Sequence, residues 1–419
     1  MKILQIHKYF TRKRGGGSVT AFFETIKMLT QKGHEVAVFS MQDKDNNPTS
    51  YSKYFTKHFD LNEKSNPCKK MKLASKVLYN FEAKRNLEKL ISEEKPDIAH
   101  LHNFYHYLSP SIISALKKNN IPVVMTLHDY KLICPNYKLF SKGKVCEKCK
   151  GGKYHHCLSN KCLKNSLSGS FLAMLEAYLH QVIGSYEKVD MFIAPSRFMK
   201  NKCMEFGIPE EKIKVIRNPI DIESIGKDID YSLGEKNYFL YYGRLSQEKG
   251  VGDLIKAVSE LEKENLLGEN ILHIVGKGPE EENLKNLAKE LGVENKVKFL
   301  GFRLGKDLMD AVRQAKFVAV PSVWYDNSPM VIAEAQISKK PVLVSDLGGS
   351  KESIIEGETG FVFKSGNIKD LSEKIKKILA LQKEERELLG QKGYENIMKI
   401  NDNETIYQET IGIYESFLC

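Results

Sequence analysis

The chain has 419 residues, of which 42% are hydrophobic, and carries a net charge of +11. At about 100–200 residues per domain, this length predicts two domains, or three, with ample apolar residues for two cores. The composition excludes collagen-like, repetitive and low-complexity chains, and no run approaches the roughly 20 apolar residues of a membrane span. The N-terminal stretch turns polar after Ile6, too soon for a signal peptide. A cytoplasmic protein is expected, peripherally attached at most to the inner face of the cell membrane. The basic balance favours phosphorylated ligands, an anionic membrane or nucleic acid as partners.

Apolar runs alternate with helical patterns along nearly the whole chain, which predicts parallel sheets covered by helices. In the first half, strands are expected at 2–7, 35–40, 97–101, 123–127, 191–194 and 213–217, with a helix over 18–31 after a glycine turn. The lysine-rich stretch from Cys68 to Lys76 runs into a helix predicted over 77–91. It reads either as a solvated face or as a contact with an anionic membrane. Asn218-Pro-Ile-Asp221 interrupts the pattern as a linker does. A second series predicts strands at 238–242, 271–275, 297–300, 317–320, 342–344 and 361–363. Helices follow at 369–379, 383–399 and 404–417, the last expected to cross back to the first domain. The expected organisation is a first domain over 1–217, a second over 218–400 and a returning helix within 401–419, the two domains facing each other across a cleft.

Chemistry-bearing residues gather just beyond strand ends. After the strand at 317–320, a turn-rich segment leads to a helix opening near Pro329, flanked by Asp326 and Glu334. A helix N-terminus offers unpaired N–H groups and partial positive charge, which suits phosphate, and Glu334 is placed to accept from sugar hydroxyls. Arg244 and Lys249 lie between the strand at 238–242 and the next helix, an arginine to grip phosphate in two bonds and a lysine as a point charge. In the first domain, Gly15, Gly16 and Gly17 allow a phosphate or an acceptor close to the main chain. His128 and Asp129 follow the strand at 123–127. Asp129 orients His128, acts on an acceptor or caps a helix. His100 and His102 alternate on one strand and so share a face. They read as packed, or as one lining an acceptor pocket, rather than as a metal pair.

In order and spacing, GRLSQEKG, IVGKGPE and PSVWYDNSPMVIAEA resemble the donor half of retaining glycosyltransferases of family 4. GGGSV, DIAHLHNFYHYLSP, TLHDYKLICPN and IRNPID resemble the rest of that family. The resemblance implies the GT-B fold, an α/β architecture of two facing Rossmann-like doubly wound domains. It implies a nucleotide-diphosphate sugar donor in the second domain and a glycan or lipid-linked acceptor in the first, with surface polysaccharide or glycoconjugate assembly as the setting. Arg244 and Lys249 then bind the diphosphate and stabilise it as it leaves. Glu334 holds the ribose, the N–H groups near Met330 and Val331 meet phosphate, Gly276 and Gly278 lie near the base, and Gly16 and Gly17 approach the donor. His128 stands beside the reacting sugar, and His102 and Asp129 are placed toward the acceptor. Asp326 falls where the family's acid pair usually begins with Glu, one methylene short. No Asp-x-Asp motif is placed to bring a divalent metal to the donor, so the resemblance implies catalysis without a metal.

Five of the eight cysteines lie between Cys134 and Cys162, within a cysteine-rich insertion at 133–163 of the first domain. Cys146, Cys149, Cys157 and Cys162 have spacings compatible with a structural zinc site, with free or partly oxidised thiols and an iron–sulfur cluster as the other readings. Two further functions compete with glycosyl transfer. A sugar-nucleotide epimerase on a similar fold does not account for Arg244, Lys249, Asp326 and Glu334 together. A nucleic-acid binder using the charge and a zinc knuckle calls for aromatic residues interleaved with basic ones, and Phe104-Tyr-His-Tyr107 fits an acceptor pocket as well.

Overall fold

A computed structural model describes residues 1–60 and 66–418. Cys419, the last residue of the predicted returning segment, lies outside them. The chain divides into two units. The first comprises Met1–Lys142, Cys146–Ile220 and Asn403–Cys419, and the second Gly143–Val145 and Asp221–Asp402.

The first unit is built on six parallel strands, β1 (Lys2–His7), β2 (Glu35–Phe39), β3 (Ile98–His102), β4 (Val123–Thr126), β5 (Met191–Ala194) and β6 (Ile213–Val215), in the order β2-β1-β3-β4-β5-β6. Segments such as Ile98–His102 and Val123–Thr126 are buried throughout, as expected for strands covered on both faces. The helix Asn403–Glu415 belongs to this unit. Its Ile406, Ile411, Ile413 and Tyr414 share a core with Ile3, Ile98, Val124 and Ile193.

The second unit carries β7 (Tyr238–Tyr242), β8 (Ile271–Val275), β9 (Val297–Phe299), β10 (Val318–Val320), β11 (Val342–Ser345) and β12 (Gly360–Phe363), in the order β9-β8-β7-β10-β11-β12. All of its pairings are parallel. Phe239 of β7 and Phe317 stack at 5.0 Å and 5° in its core. The strand order reverses between β7 and β10, and in open α/β sheets ligands bind beyond the carboxyl ends at such a point. In the first unit the reversal falls between β1 and β3.

The helix expected over 77–91 is interrupted. One helix ends at Leu78 and another begins at Phe81, because the Asn80 side chain accepts from Ala83 N as an N-cap.

Candidate active site

At the order reversal of the second unit, three strand-end loops interlock through glycine. Gly243, Gly276 and Gly250 have φ of 145°, 147° and 70°. A Cβ on Gly276 would lie 1.9 Å from the Gly243 carbonyl oxygen, one on Gly278 2.1 Å from that of Leu245, and one on Gly250 1.9 Å from that of Pro321. Only glycine lets the loops after β7, β8 and β10 touch main chain to main chain.

This contact brings Lys249 to the loop after β10. Its ammonium lies 2.6 Å from Asp326 Oδ2, which also accepts from Ser322 Oγ at 3.0 Å. Lys249 also sits over the Trp324 ring, 5.4 Å from its centroid. Asp326 is only 6% exposed, so the structure turns the first acid of the pair inward onto Lys249. Arg244 is exposed, and no ion pair engages it among the described residues. The helix Met330–Ile337 follows, with Pro329 as its N-cap. Its opening N–H groups, those of Met330 and Val331, have no carbonyl one turn earlier to receive them. Tyr242 at the end of β7 donates to the Val331 carbonyl at 2.9 Å. Glu334 is half-buried one turn further on. Burial raises its pKa, and a hydrogen bond from Tyr242 works against that rise. The arrangement can meet an anion with two cations and a helix terminus, and can offer a desolvated carboxylate to hydroxyl groups.

In the first unit, the carboxyl ends of β1, β3 and β4 gather histidines. Gly16 (φ 95°) caps the helix Gly17–Gln31, which opens beyond β1. His128, largely buried, follows β4, and its Nε2 lies 2.9 Å from His102 Nδ1 with the rings stacked. His102 itself is 1% exposed. The structure therefore places it beneath His128 rather than on an acceptor wall. Alternation on β3 indicated its face but not how deeply that face is covered. Asp129 Oδ1 accepts from Lys131 N at 2.9 Å within a turn that opens no helix, so the helix-capping alternative is not realised. Burial drives His128 down to about 3, and Lys8 nearby adds to this.

Three residues passed over in the sequence belong to this region. Lys8, the first residue past β1, donates to Asn103 Oδ1 at 2.9 Å. Its strand-end position was the available signal. Lys131 and Glu176 form a buried ion pair at 2.7 Å, with His106 Nδ1 3.1 Å from the same carboxylate oxygen. Burial pushes the Glu176 pKa up, but the charges of His106 and Lys131 outweigh it and hold it at about 2. Sequence offered no signal for this pair.

Cys134, Cys146, Cys149, Cys157 and Cys162 line one small cavity with His156, and all five are free thiols. Among the described residues, no three His, Cys, Asp or Glu side chains are arranged to hold a metal ion. The zinc set expected from the spacing is thus gathered but not preformed.

The profile of the family described as Glycosyltransferase Family 4 matches residues 15–224, and that of Glycosyl transferases group 1 matches residues 228–396. The chain belongs to glycosyltransferase family 4. Among curated relatives of this glycosyltransferase, an uncharacterized 42.6 kDa protein in the cps region of Klebsiella pneumoniae is 27% identical over 82% of this chain and 84% of its own length. The capsular polysaccharide biosynthesis glycosyltransferase CapM of Staphylococcus aureus is 24% identical over 60% of this chain and 70% of its own. Among solved structures, Anabaena HepE in complex with UDP superposes with a TM-score of 0.66 at 19% identity, covering 99% of this chain and all of that one, a likeness of the GT-B fold. Among the described residues, no helix of the glycosyltransferase is long and apolar enough to cross a membrane.

Proposed function

We propose that the protein transfers a sugar, with retention at the anomeric carbon, from a nucleotide-diphosphate donor to a glycan or lipid-linked acceptor in surface polysaccharide assembly. The observation that carries the donor part is the union, at the order reversal of the second unit, of Lys249, Asp326 and the N-terminus of the helix Met330–Ile337. The polysaccharide setting is supported by the capsular role named for CapM and by the cps location named for the Klebsiella protein.

In this reading Lys249 and Arg244 meet the diphosphate, and the N–H groups of Met330 and Val331 bind its oxygens. Lys249 and the two N–H groups are held in place before negative charge grows on the leaving group, so they stabilise the transition state without rearranging. Gly276 and Gly278 leave room for the base, and Gly16 and Gly17 for close approach of the donor. Glu334 accepts from the ribose hydroxyls. Asp326 holds Lys249 in place. His128 meets a hydroxyl of the reacting sugar, Asp129 lies toward the acceptor, and the departing phosphate takes the acceptor's proton. A thermal-shift screen of nucleoside diphosphates and their sugars tests the donor. Stabilisation by a nucleoside diphosphate is expected, and its absence across the panel would remove the proposal.

Two finer assignments belong to this reading. Exposed Lys69, Lys70 and Lys72 beside Met71, 72% exposed, form a face suited to an anionic membrane carrying a lipid-linked acceptor. Cys146, Cys149, Cys157 and Cys162 supply the four-sulfur donor set of a structural zinc, which would fix the loop and leave no open position for substrate. Because the thiols are not preformed around an ion, zinc would have to draw them inward. Elemental analysis of protein purified without chelator is expected to find one zinc per chain, lost in Cys149→Ser. No zinc in either protein would end this assignment.

A further inference from the structure

A cavity of about 390 Å³ in the first unit lies outside the site described above. Its size falls within the roughly 300–1,000 Å³ of small-molecule pockets. Its walls come from the helix Leu167–Val182, the start of β5, the turn after the helix Arg197–Glu205 and residues of the segments 131–135 and 149–154. Tyr186 precedes β5 and Lys212 precedes β6, so the cavity extends to the amino ends of these strands. His128 stands at the carboxyl end of β4 and is not part of the lining.

Most of the lining is apolar, with Leu132, Ile133, Tyr154, Phe192, Phe206 and Ile208 among it. Two polar groups in the same wall are buried and unpaired. Glu176, 1% exposed, accepts from Lys131 on Oε2 at 2.7 Å, and His106 Nδ1 lies 3.1 Å from that same oxygen. Its other oxygen, Oε1, has no hydrogen-bond partner among the described residues, and neither has the Tyr186 hydroxyl. Burial works against the Glu176 charge, but His106 and Lys131 outweigh it and keep the carboxylate ionised. Burial raises the Tyr186 pKa, and the Glu176 charge adds to the rise, so the phenol keeps its proton.

These features restrict the chemistry of a ligand. A hydrocarbon tail would cover the bare carboxylate oxygen without giving it a donor, which is unfavourable for a buried charge. An anion would meet the Glu176 carboxylate, and a cation would compete with Lys131 for it. A neutral hydroxyl donates to Glu176 Oε1 and still has lone pairs for the Tyr186 O–H. Tyr154, Phe192 and Phe206 offer aromatic surface to the flat C–H face of a pyranose ring. We propose that this cavity is a second saccharide site, taking a neutral sugar ring whose hydroxyl donates to Glu176 and accepts from Tyr186. Its assignment to a ring of the acceptor or product glycan, away from the reacting end, rests on the proposed glycosyl transfer.

Saturation-transfer difference NMR on the full chain tests the proposal, with glucose, galactose, mannose and N-acetylglucosamine as separate probes and adenosine as a comparison. At least one sugar is expected to receive saturation at its ring protons. Ala177→Leu, which adds bulk to the cavity wall, is expected to remove that signal. Tyr186→Phe deletes a hydroxyl that has no partner among the described residues, so the unliganded Tm should not fall. The sugar's Kd should nevertheless rise about 2- to 12-fold, for one lost hydrogen bond. Silence from every sugar with wild type would overturn the proposal. So would a sugar signal kept in Ala177→Leu, an unchanged Kd in Tyr186→Phe, or a cavity-dependent signal from adenosine alone. Should Ala177→Leu fail to melt cooperatively, Tyr186→Phe decides the matter. Failure of the transfer reading is separate, since it would appear as no stabilisation by any nucleoside diphosphate while the sugar signal persists.

Discussion

Replacing Glu334 by glutamine separates the cost of this carboxylate in the empty protein from its use with donor. Burial raises the Glu334 pKa, so the folded state binds its proton more tightly than the unfolded chain does. Stability contributed by this group is present below the unfolded carboxylate pKa and is lost as pH rises through the raised folded value. At neutral pH the ionised form is a burden that glutamine removes, so the unliganded variant is expected to be at least as stable as wild type. Toward ribose the sign reverses, because glutamine retains one acceptor oxygen where carboxylate has two. Losing one hydrogen bond to a charged group costs about 1.5–3 kcal/mol, roughly 10- to 150-fold in Kd. At a ligand concentration about 100 times the wild-type Kd, binding stabilises wild type by about 2.7 kcal/mol, whereas a 100-fold weaker variant gains only about 0.4 kcal/mol. For a domain of this size these correspond to shifts of about 5–10 °C and about 1 °C. Differential scanning fluorimetry with the most stabilising nucleoside diphosphate, at pH 7.5, reads both quantities. An unchanged ligand shift in Glu334→Gln would refute the ribose assignment, and a large fall in unliganded Tm would refute the assigned burial cost.

Lys249→Met is expected to lower kcat about 10²- to 10³-fold, as when one preorganised donor is removed from a developing anion, measured by release of nucleoside diphosphate. Glu176→Gln leaves Lys131, 3% exposed at its side chain, without its counter-charge, and is expected to cost about 3–5 kcal/mol in urea unfolding. Because the folded Glu176 pKa is held at about 2, its contribution is present above the unfolded carboxylate pKa and lost as pH falls toward 2, so the variant's deficit should shrink in acid. Gly276→Ala sets a Cβ 1.9 Å from a backbone oxygen and should cost about 4 kcal/mol or more, seen as a large loss of Tm or of soluble protein. Replacing Lys69, Lys70 and Lys72 together by Glu should abolish co-sedimentation with phosphatidylserine vesicles, since each lysine near the surface contributes about 1 kcal/mol. Equal binding by the variant would remove the membrane face.

Strands were legible because a parallel sheet buries both faces of each strand. Tyr238–Tyr242 and Val342–Ser345 are apolar runs with nothing to confuse them with helices. The residues proposed for the donor side could be picked out for a related reason, since each stands within a few residues of such a run. Their pairings were not. Lys249 and Asp326 are 77 positions apart, and only the glycine contacts beneath them bring the loops together. The burial of His102 was likewise hidden, because it depends on how neighbouring elements cover its strand. The break at Asn80 was written in the sequence as a capping residue, but the apolar pattern on either side masked it.

The shortened acid, Asp326, takes its meaning from these pairings. With both Lys249 and Ser322 on its Oδ2 and little of it exposed, its carboxylate is committed to the protein before any ligand arrives. An acid so engaged contributes by fixing the position of a cation. Lys249 has three N–H donors and gives one to Asp326, so two remain for phosphate oxygens. A flexible lysine would otherwise lose about 2 kcal/mol of side-chain freedom on binding, and a partner that has already ordered it moves that cost from the binding step to folding. The missing methylene does not prevent this contact, since the shorter side chain still reaches the ammonium at 2.6 Å. In the proposed donor site, the first position of the acid pair would then act through Lys249.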